Sequence, residues 1–103
     1  MVYTVAALYH FAPFEDPAAL RAPLLDLCLA HSICGTLLLA GEGVNGTIAG
    51  SADAIATVIA HIRALPGCAG LDVKYSTSDG PPFHRMKVRL KKEIVTMGVP
   101  GVD

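Results

Sequence analysis

Two segments with helical periodicity, separated by two strand-like runs, most constrain the fold of this 103-residue chain. In the first segment leucines recur at positions 20, 24 and 27, and in the second an apolar stripe runs from Ile55 to Leu65. Neither helix can bury its stripe alone, so both are expected to pack on one face of a single sheet. The order of the elements predicts an α+β sandwich, the ferredoxin-like split βαβ fold (βαββαβ), with an additional C-terminal strand.

Apolar and β-branched runs predict the strands, which are expected at residues 2–11, 35–40, 47–50, 71–77 and 86–95. The first run is apolar at both odd and even positions, which predicts a strand that is covered on both faces. Asn45-Gly46 predicts the hairpin turn between the second and third strands, because both residues tolerate positive φ.

The start of the first helix is indicated by Asp16, an N-cap residue, and by Pro17, which fits the first helical position. Pro23 lies within the same helix, where a proline removes a backbone donor and costs about 3 kcal/mol. Either the helix bends at Pro23, or its regular part begins near Ala22 with Pro23 in the first turn. We favour the second alternative, an irregular first turn.

Composition indicates one small domain. Apolar residues make up 52% of the chain and charged residues 17%, with a formal net charge of −1, which excludes a disordered tail. No run approaches the roughly 18 apolar residues of a membrane span, and the N-terminus lacks the basic region of a signal peptide. These features predict a cytoplasmic protein with no membrane partner. Residues 1–97 are predicted to form the domain and residues 98–103 to begin a linker.

The sequence gives little support for a metal site or for a nucleophilic residue. The cysteines, Cys28, Cys34 and Cys68, contain no CxxC pair, and the four histidines lack metal-ligand spacing. Cys28 and Cys34 are interpreted as small buried apolar residues rather than nucleophiles.

The glycine-rich segment 41–46 matches the pattern GxGxxG, but the helix that a dinucleotide site needs does not follow it. A glycine-rich hairpin is the favoured interpretation, with Glu42 and Asn45 as candidate binding residues on its loop. Acylphosphatase activity is not expected either, because the segment after the first strand, residues 12–16, is APFED rather than a glycine-rich cradle with an arginine.

Five of the eight basic residues lie in the segment 85–92. Because side chains alternate along a strand, four of them are expected to share one face: Arg85, Lys87, Arg89 and Lys91. Four like charges in a row repel one another, so this face must be solvated, neutralised by a partner or used to bind an anion. One interpretation is a face that is simply solvated or that protects a sheet edge. The other is contact with RNA phosphates, with Phe83 and His84 beside the basic run as candidates for stacking on a base.

Two long segments carry a resemblance to a known family. Residues 41–50 (GEGVNGTIAG) are followed by residues 82–98 (PFHRMKVRLKKEIVTMG). In this order they resemble the N-terminal domain of the rhodanese-containing, oxygen-dependent tRNA uridine hydroxylases, which form 5-hydroxyuridine at the tRNA wobble position. The resemblance implies that residues 98–103 lead to a C-terminal rhodanese domain absent from this chain. In the family that domain carries the reactive cysteine, which none of the three cysteines here matches.

The resemblance implies a module that helps to engage tRNA or to position the rhodanese domain. The predicted RNA-binding residues are Arg85, Lys87, Arg89 and Lys91, and the secondary candidates are Glu42, Asn45 and His84. No catalytic residue, metal site or cofactor is expected in this chain, which by itself is not expected to be catalytic. The alternative is a purely structural module whose basic strand faces an acidic surface of the rhodanese domain. A stand-alone small-molecule enzyme would need a convergent acid–base pair, and the sequence offers none.

Overall fold

The computed structural model describes residues 2–91. Its strands and helices follow the predicted order: β1 Tyr3–Phe11, α1 Pro17–Ala30, β2 Cys34–Ala40, β3 Gly43–Gly50, α2 Ala52–Arg63, β4 Val73–Ser78 and β5 Met86–Leu90. The predicted continuation of the last strand to residue 95 and the predicted linker at 98–103 lie outside the described residues. Neither described helix is long and apolar enough to cross a membrane.

All five strands form one sheet in the order β4-β1-β3-β2-β5. β3 lies between β1 and β2 and is antiparallel to both, and β1 lies between β3 and β4 in the same way. Each helix therefore connects two parallel strands that are separated by a third. Two interlocked split βαβ units of this kind form the ferredoxin-like fold. The predicted fold class is confirmed, and β5 is the additional strand, parallel to β2 at the sheet edge.

Both helices pack on the same face of the sheet. Leu24 and Cys28 of α1 share one core cluster with Ile55 and Ile59 of α2. The strands contribute alternate residues to this cluster: Ala6, Leu8, Leu37, Leu39, Val44, Ile48 and Val88. The single core confirms the prediction that the two helices lie on one side of the sheet.

Helix α1 begins regularly, so the expected irregular first turn is wrong. The Asp16 carboxylate accepts a hydrogen bond from the backbone N–H of Ala19, and Pro17 opens a helix that continues without a break to Ala30. Pro23 and Ala19 are both exposed. The carbonyl of Ala19, which Pro23 deprives of its helical donor, therefore lies where water can bind it.

The predicted hairpin turn at Asn45-Gly46 is also wrong. Ala40 pairs with Gly43, so Gly41-Glu42 forms the turn and Asn45 lies within β3, not on a loop. Gly46 has φ +153° and faces β2 so closely that a Cβ would overlap the Thr36 carbonyl oxygen. The glycine is therefore explained by the close approach of β2 rather than by a turn.

The side of the sheet away from the helices is named here the open face. On β1 it carries the odd-numbered residues, none of which is buried; Tyr9 is 38% exposed and Phe11 56%. The prediction that β1 is covered on both faces is wrong for the described part of the chain, because both helices pack on the other side. The aromatic side chains of β1, an inner strand of the sheet, are thus accessible to solvent.

Candidate nucleic-acid interface

β5 is held in register along its whole length. It pairs in parallel with β2, with Lys87 opposite Thr36 and Arg89 opposite Leu38. The ladder continues at both ends. The N–H of Gly35 donates to the Arg85 carbonyl (2.8 Å), and the N–H of Lys91 donates to the Leu39 carbonyl (2.8 Å). The backbone from 85 to 91 is therefore fixed by the sheet.

This register places the four predicted phosphate-binding side chains on the open face. They alternate with Met86, Val88 and Leu90, of which Val88 is buried in the core. All four basic residues are exposed: Arg85, Lys87, Arg89 and Lys91. A row of cations is thereby presented to solvent along one rigid edge of the sheet.

The outer edge of β5 is protected by a different residue. Arg21 of α1 donates a hydrogen bond from Nε to the Val88 carbonyl (2.6 Å). This bond occupies an outward-pointing acceptor that another strand would use. Arg21 thus covers one acceptor on the outer edge of β5, while Lys87 and Arg89 project from the open face beside it.

The strands of the sheet carry no carboxylate. None of the five described strands contains an aspartate or a glutamate, whereas β4 contributes Lys74 and β5 contributes Lys87 and Arg89. The acidic residues lie on the helices and connecting segments instead, as do Asp26 and Asp53. The net charge of −1 thus conceals a separation of charge: the residues of formal charge within the described strands are all cations, and Asp72 lies directly before β4.

The secondary candidates are distributed around this face. His84 is exposed beside the start of β2 and, with Phe83 and Arg85, lines a shallow depression of about 240 Å³. Glu42 lies at the opposite end of β2, in the turn, where its carbonyl accepts a hydrogen bond from the N–H of Ala12 (2.9 Å). Asn45 lies on the open face itself, opposite Tyr9 of β1. The structure therefore groups Asn45 with the basic strand and separates Glu42 from His84.

Sequence reasoning missed Tyr9 and Phe11. Their rings pack edge to face, with centroids 5.3 Å apart and planes at 80°. Their odd positions in β1 place them together on the open face. That alternation was visible in the sequence, but the apolar even positions made the strand look buried on both sides.

Cys28 and Cys68 are unsuited to act as nucleophiles. Burial raises the pKa of the Cys28 thiol to about 11 and also raises the pKa of the Cys68 thiol. A thiol with a raised pKa stays protonated at neutral pH, and the thiolate is the nucleophile. Cys28 is buried as expected, but the expectation that Cys34 is buried is wrong: Cys34 lies on the side of β2 away from the helices and is only half-buried, and its thiol donates to the Ala49 carbonyl (3.6 Å). Among residues 2–91, no three His, Cys, Asp or Glu side chains lie close enough together to hold a metal ion.

The segment between β1 and α1 is also unsuited to binding an anion. The N–H groups of Ala12 and Phe14 donate to the carbonyls of Glu42 and Gly41, both at 2.9 Å. These amides are therefore occupied by the β2–β3 turn. With the carboxylates of residues 15 and 16 following directly, this segment repels an acyl phosphate rather than cradling it.

The sequence pattern of the UPF0176 acylphosphatase-like domain family matches residues 3–94. The chain belongs to this family. Proteins named tRNA uridine(34) hydroxylase match it closely: that of Gluconobacter oxydans is 66% identical over 99 residues, and that of Brucella ovis 62% over 101 residues. These matches cover 96% and 98% of the chain but only 32% and 33% of the relatives. The chain thus spans about a third of their length, and the resemblance drawn from its two motifs is confirmed.

Solved structures that share the fold of this UPF0176 domain are less similar to it in sequence than these relatives are. The structure of Klebsiella pneumoniae BlrP1 superimposes on this chain with a TM-score of 0.64 and 18% sequence identity. The aligned region covers 95% of this chain and 27% of the BlrP1 chain. An acylphosphatase from Bacillus subtilis has a TM-score of 0.55 at 12% identity, covering 85% of this chain and 98% of its own. At these identities the likeness shows the fold alone.

Proposed function

We propose that this UPF0176 domain is a tRNA-binding module of a tRNA uridine(34) hydroxylase. This enzyme name is the one that two relatives carry, and these relatives are 66% and 62% identical to the chain. Formation of 5-hydroxyuridine at the wobble position is then the activity of the complete protein. The contribution of this domain is to hold tRNA, while a rhodanese domain elsewhere in the protein supplies the reactive cysteine.

One observation carries the proposal: a fixed row of exposed cations on a sheet whose strands contain no carboxylate. Because β5 is hydrogen-bonded from 85 to 91, its cations are held at regular spacing without further loss of backbone freedom. RNA presents a phosphate at every nucleotide, and each contact releases a bound counterion. A row of this kind matches a repeated anion better than it matches a single small substrate.

The salt dependence of tRNA binding tests this proposal. Lys87 and Arg89 are the two cations within β5, and both are exposed, so their replacement by alanine leaves the core intact. In the complete protein that contains this chain, the slope of log affinity against log salt concentration is expected to fall by about 1.4–1.8 when both are replaced, at roughly 0.7–0.9 per phosphate contact. The measurement is a tRNA titration at several salt concentrations, beginning at low salt.

A charge-preserving exchange serves as the control. Lys87→Arg combined with Arg89→Lys keeps both charges at the same positions, so the slope is expected to stay at its original value. An unchanged slope and an unchanged affinity in the double alanine variant would refute the proposed role. If that variant instead loosened the contact with the rhodanese domain and bound tRNA normally, the module would be structural.

A further inference from the structure

The open face aligns an aromatic ring, an amide and a cation in one row across the sheet. Tyr9 of β1 lies opposite Asn45 of β3, Asn45 opposite Leu38 of β2, and Leu38 opposite Arg89 of β5. Paired residues of neighbouring strands project from the same face. Tyr9 is partly exposed and Asn45 half-buried, whereas Leu38 is buried between Asn45 and Arg89. The accessible groups in this row are therefore Tyr9, Asn45 and Arg89.

The adjacent row has a cation at each end. Lys74 of β4 lies opposite Ala7 of β1, and Lys87 of β5 lies opposite Thr36 of β2. Between them, Ala7 pairs with Thr47 and Thr47 pairs with Thr36. The side chains in the middle of this row, an alanine and two threonines, are small. They therefore leave space above the sheet beside the larger Tyr9 ring.

A depression of about 300 Å³ lies where the two rows meet. Its lining includes Tyr9, Asn45, Thr47, Lys74 and Asp72. It combines one aromatic ring with an amide, a hydroxyl, a cation and a carboxylate, which is the mixture that fixes the orientation of a flat polar ring. Four of these side chains lie on strands of the sheet, and Asp72 directly precedes β4.

The geometry of Tyr9 and Phe11 leaves an aromatic surface free. In an edge-to-face pair, whichever ring presents its edge, the Tyr9 ring keeps at least one flat face clear of Phe11. Unpaired bases stack on such exposed aromatic faces, and each stacked base contributes substantially to binding.

We propose that the open face binds an unpaired segment of RNA, with one base stacked on Tyr9 in this depression and neighbouring phosphates held by Lys87 and Arg89. This inference rests on the proposed function and names its ligand more closely: a single-stranded loop of tRNA rather than a helical stem. In a duplex the bases are stacked on one another, so their flat faces cannot reach Tyr9.

The distances across the sheet agree with a single strand of RNA. β1 and β5 are separated by three strand-to-strand steps, or about 14 Å. A base on Tyr9 and a phosphate on Arg89 therefore belong to one short run of nucleotides that crosses the strands. Lys74 lies on the other side of Tyr9 and is placed to meet a phosphate there.

The polar groups in the depression suit the edge of a base. The Asn45 amide offers both a donor and an acceptor, and the Asp72 carboxylate offers acceptor oxygens. Asp72 repels a phosphate, so it favours the orientation in which the N–H groups of the base, and not the backbone, enter the depression.

A tyrosine-to-leucine pair tests the inference. Tyr9→Leu removes the ring but keeps an apolar side chain. Tyr75→Leu is the control: it makes the same change on β4, where Tyr75 lies opposite Ala6 on the helix-facing side of the sheet. The probe is a short single-stranded, uridine-rich RNA oligonucleotide, titrated against the complete protein that contains this chain. We expect Tyr9→Leu to weaken binding by about tenfold or more. Tyr9→Phe, which keeps the ring, is expected to retain most of the affinity that Tyr9→Leu loses, and Tyr75→Leu, on the helix-facing side, is expected to leave binding unchanged.

The salt slope separates this inference from the proposed function. Tyr9→Leu removes no phosphate contact, so its slope is expected to equal that of the unaltered protein. If Tyr9→Leu left the affinity unchanged while the Lys87 and Arg89 double variant still lowered the slope, the stacking site would be refuted and the proposed function would stand. If the same oligonucleotide in a blunt duplex bound as tightly and lost affinity equally with Tyr9→Leu, the preference for a single strand would be refuted. Unchanged binding in both sets of variants would refute both.

Discussion

Replacement of Gly46 by alanine is expected to unfold the domain or to lower its stability by more than about 3 kcal/mol. A Cβ at this position would overlap the Thr36 carbonyl oxygen and lie 2.9 Å from the Cα of Leu37, and both of these are backbone atoms of β2. The φ of +153° adds strain for any side chain. β3 lies in the middle of the sheet, so relief of this overlap would have to displace a central strand from its neighbour.

Thermal unfolding measures this effect, with Gly70→Ala as the matched control. A Cβ at Gly70 would meet no atom within 4 Å. For a domain of this size about 1 kcal/mol corresponds to 4–8 °C in Tm, so Gly46→Ala is expected to lose at least about 12 °C if it folds. Gly70→Ala is expected to unfold near the temperature of the unaltered chain. Equal unfolding temperatures for the two variants would contradict the close approach of β2 and β3.

Truncation of Leu24 is expected to have the second-largest effect, about 2–5 kcal/mol for Leu24→Ala. Leu24 is fully buried between α1 and the sheet, so its truncation leaves a cavity in the only core that the described residues form. Leu29→Ala is the control on the same helix, because Leu29 is 58% exposed and its loss is expected to change stability by no more than about 0.5 kcal/mol. Urea denaturation of the two variants measures the difference. Similar losses would show that α1 does not pack as described.

The order of strands and helices could be predicted because the patterns that define them are local. The stripe that begins at Ile55 needs only the 3.6-residue period of a helix, and Ser51 and Asp16 cap their helices by contacts three residues away. Pro23 was misjudged because its cost depends on whether the released carbonyl faces solvent. That exposure is a property of how α1 packs on the sheet.

The errors at Asn45-Gly46 and in β1 have a common physical origin. Asn-Gly is a strong turn signal within a short window, but the turn at Gly41-Glu42 is fixed by the pairing of Ala40 with Gly43 across two strands. Likewise, the accessibility of Tyr9 depends on both helices packing on the opposite face. Contacts between segments distant in sequence decided both outcomes.

The candidate site was predictable only in part. The alternation of Lys87 and Arg89 with apolar residues placed the cations on one face from the two-residue period alone. The row that joins Tyr9 to Arg89 was not predictable, because it depends on the registers of three separate strand pairs. A shift of one residue in any of these registers would move one end of the row to the helix side.

Photo-crosslinking of tRNA to the complete protein that contains this chain tests most directly the proposal that the open face of this domain binds tRNA. Mass spectrometry of the crosslinked peptides is expected to identify two segments of this chain: the β1 peptide that contains Tyr9 and Phe11, and the β5 peptide that contains Lys87 and Arg89. Crosslinks to both, lost on addition of excess unlabelled tRNA, are the predicted result. Crosslinks confined to peptides of α1 and α2, or to parts of the protein outside this chain, would contradict the account.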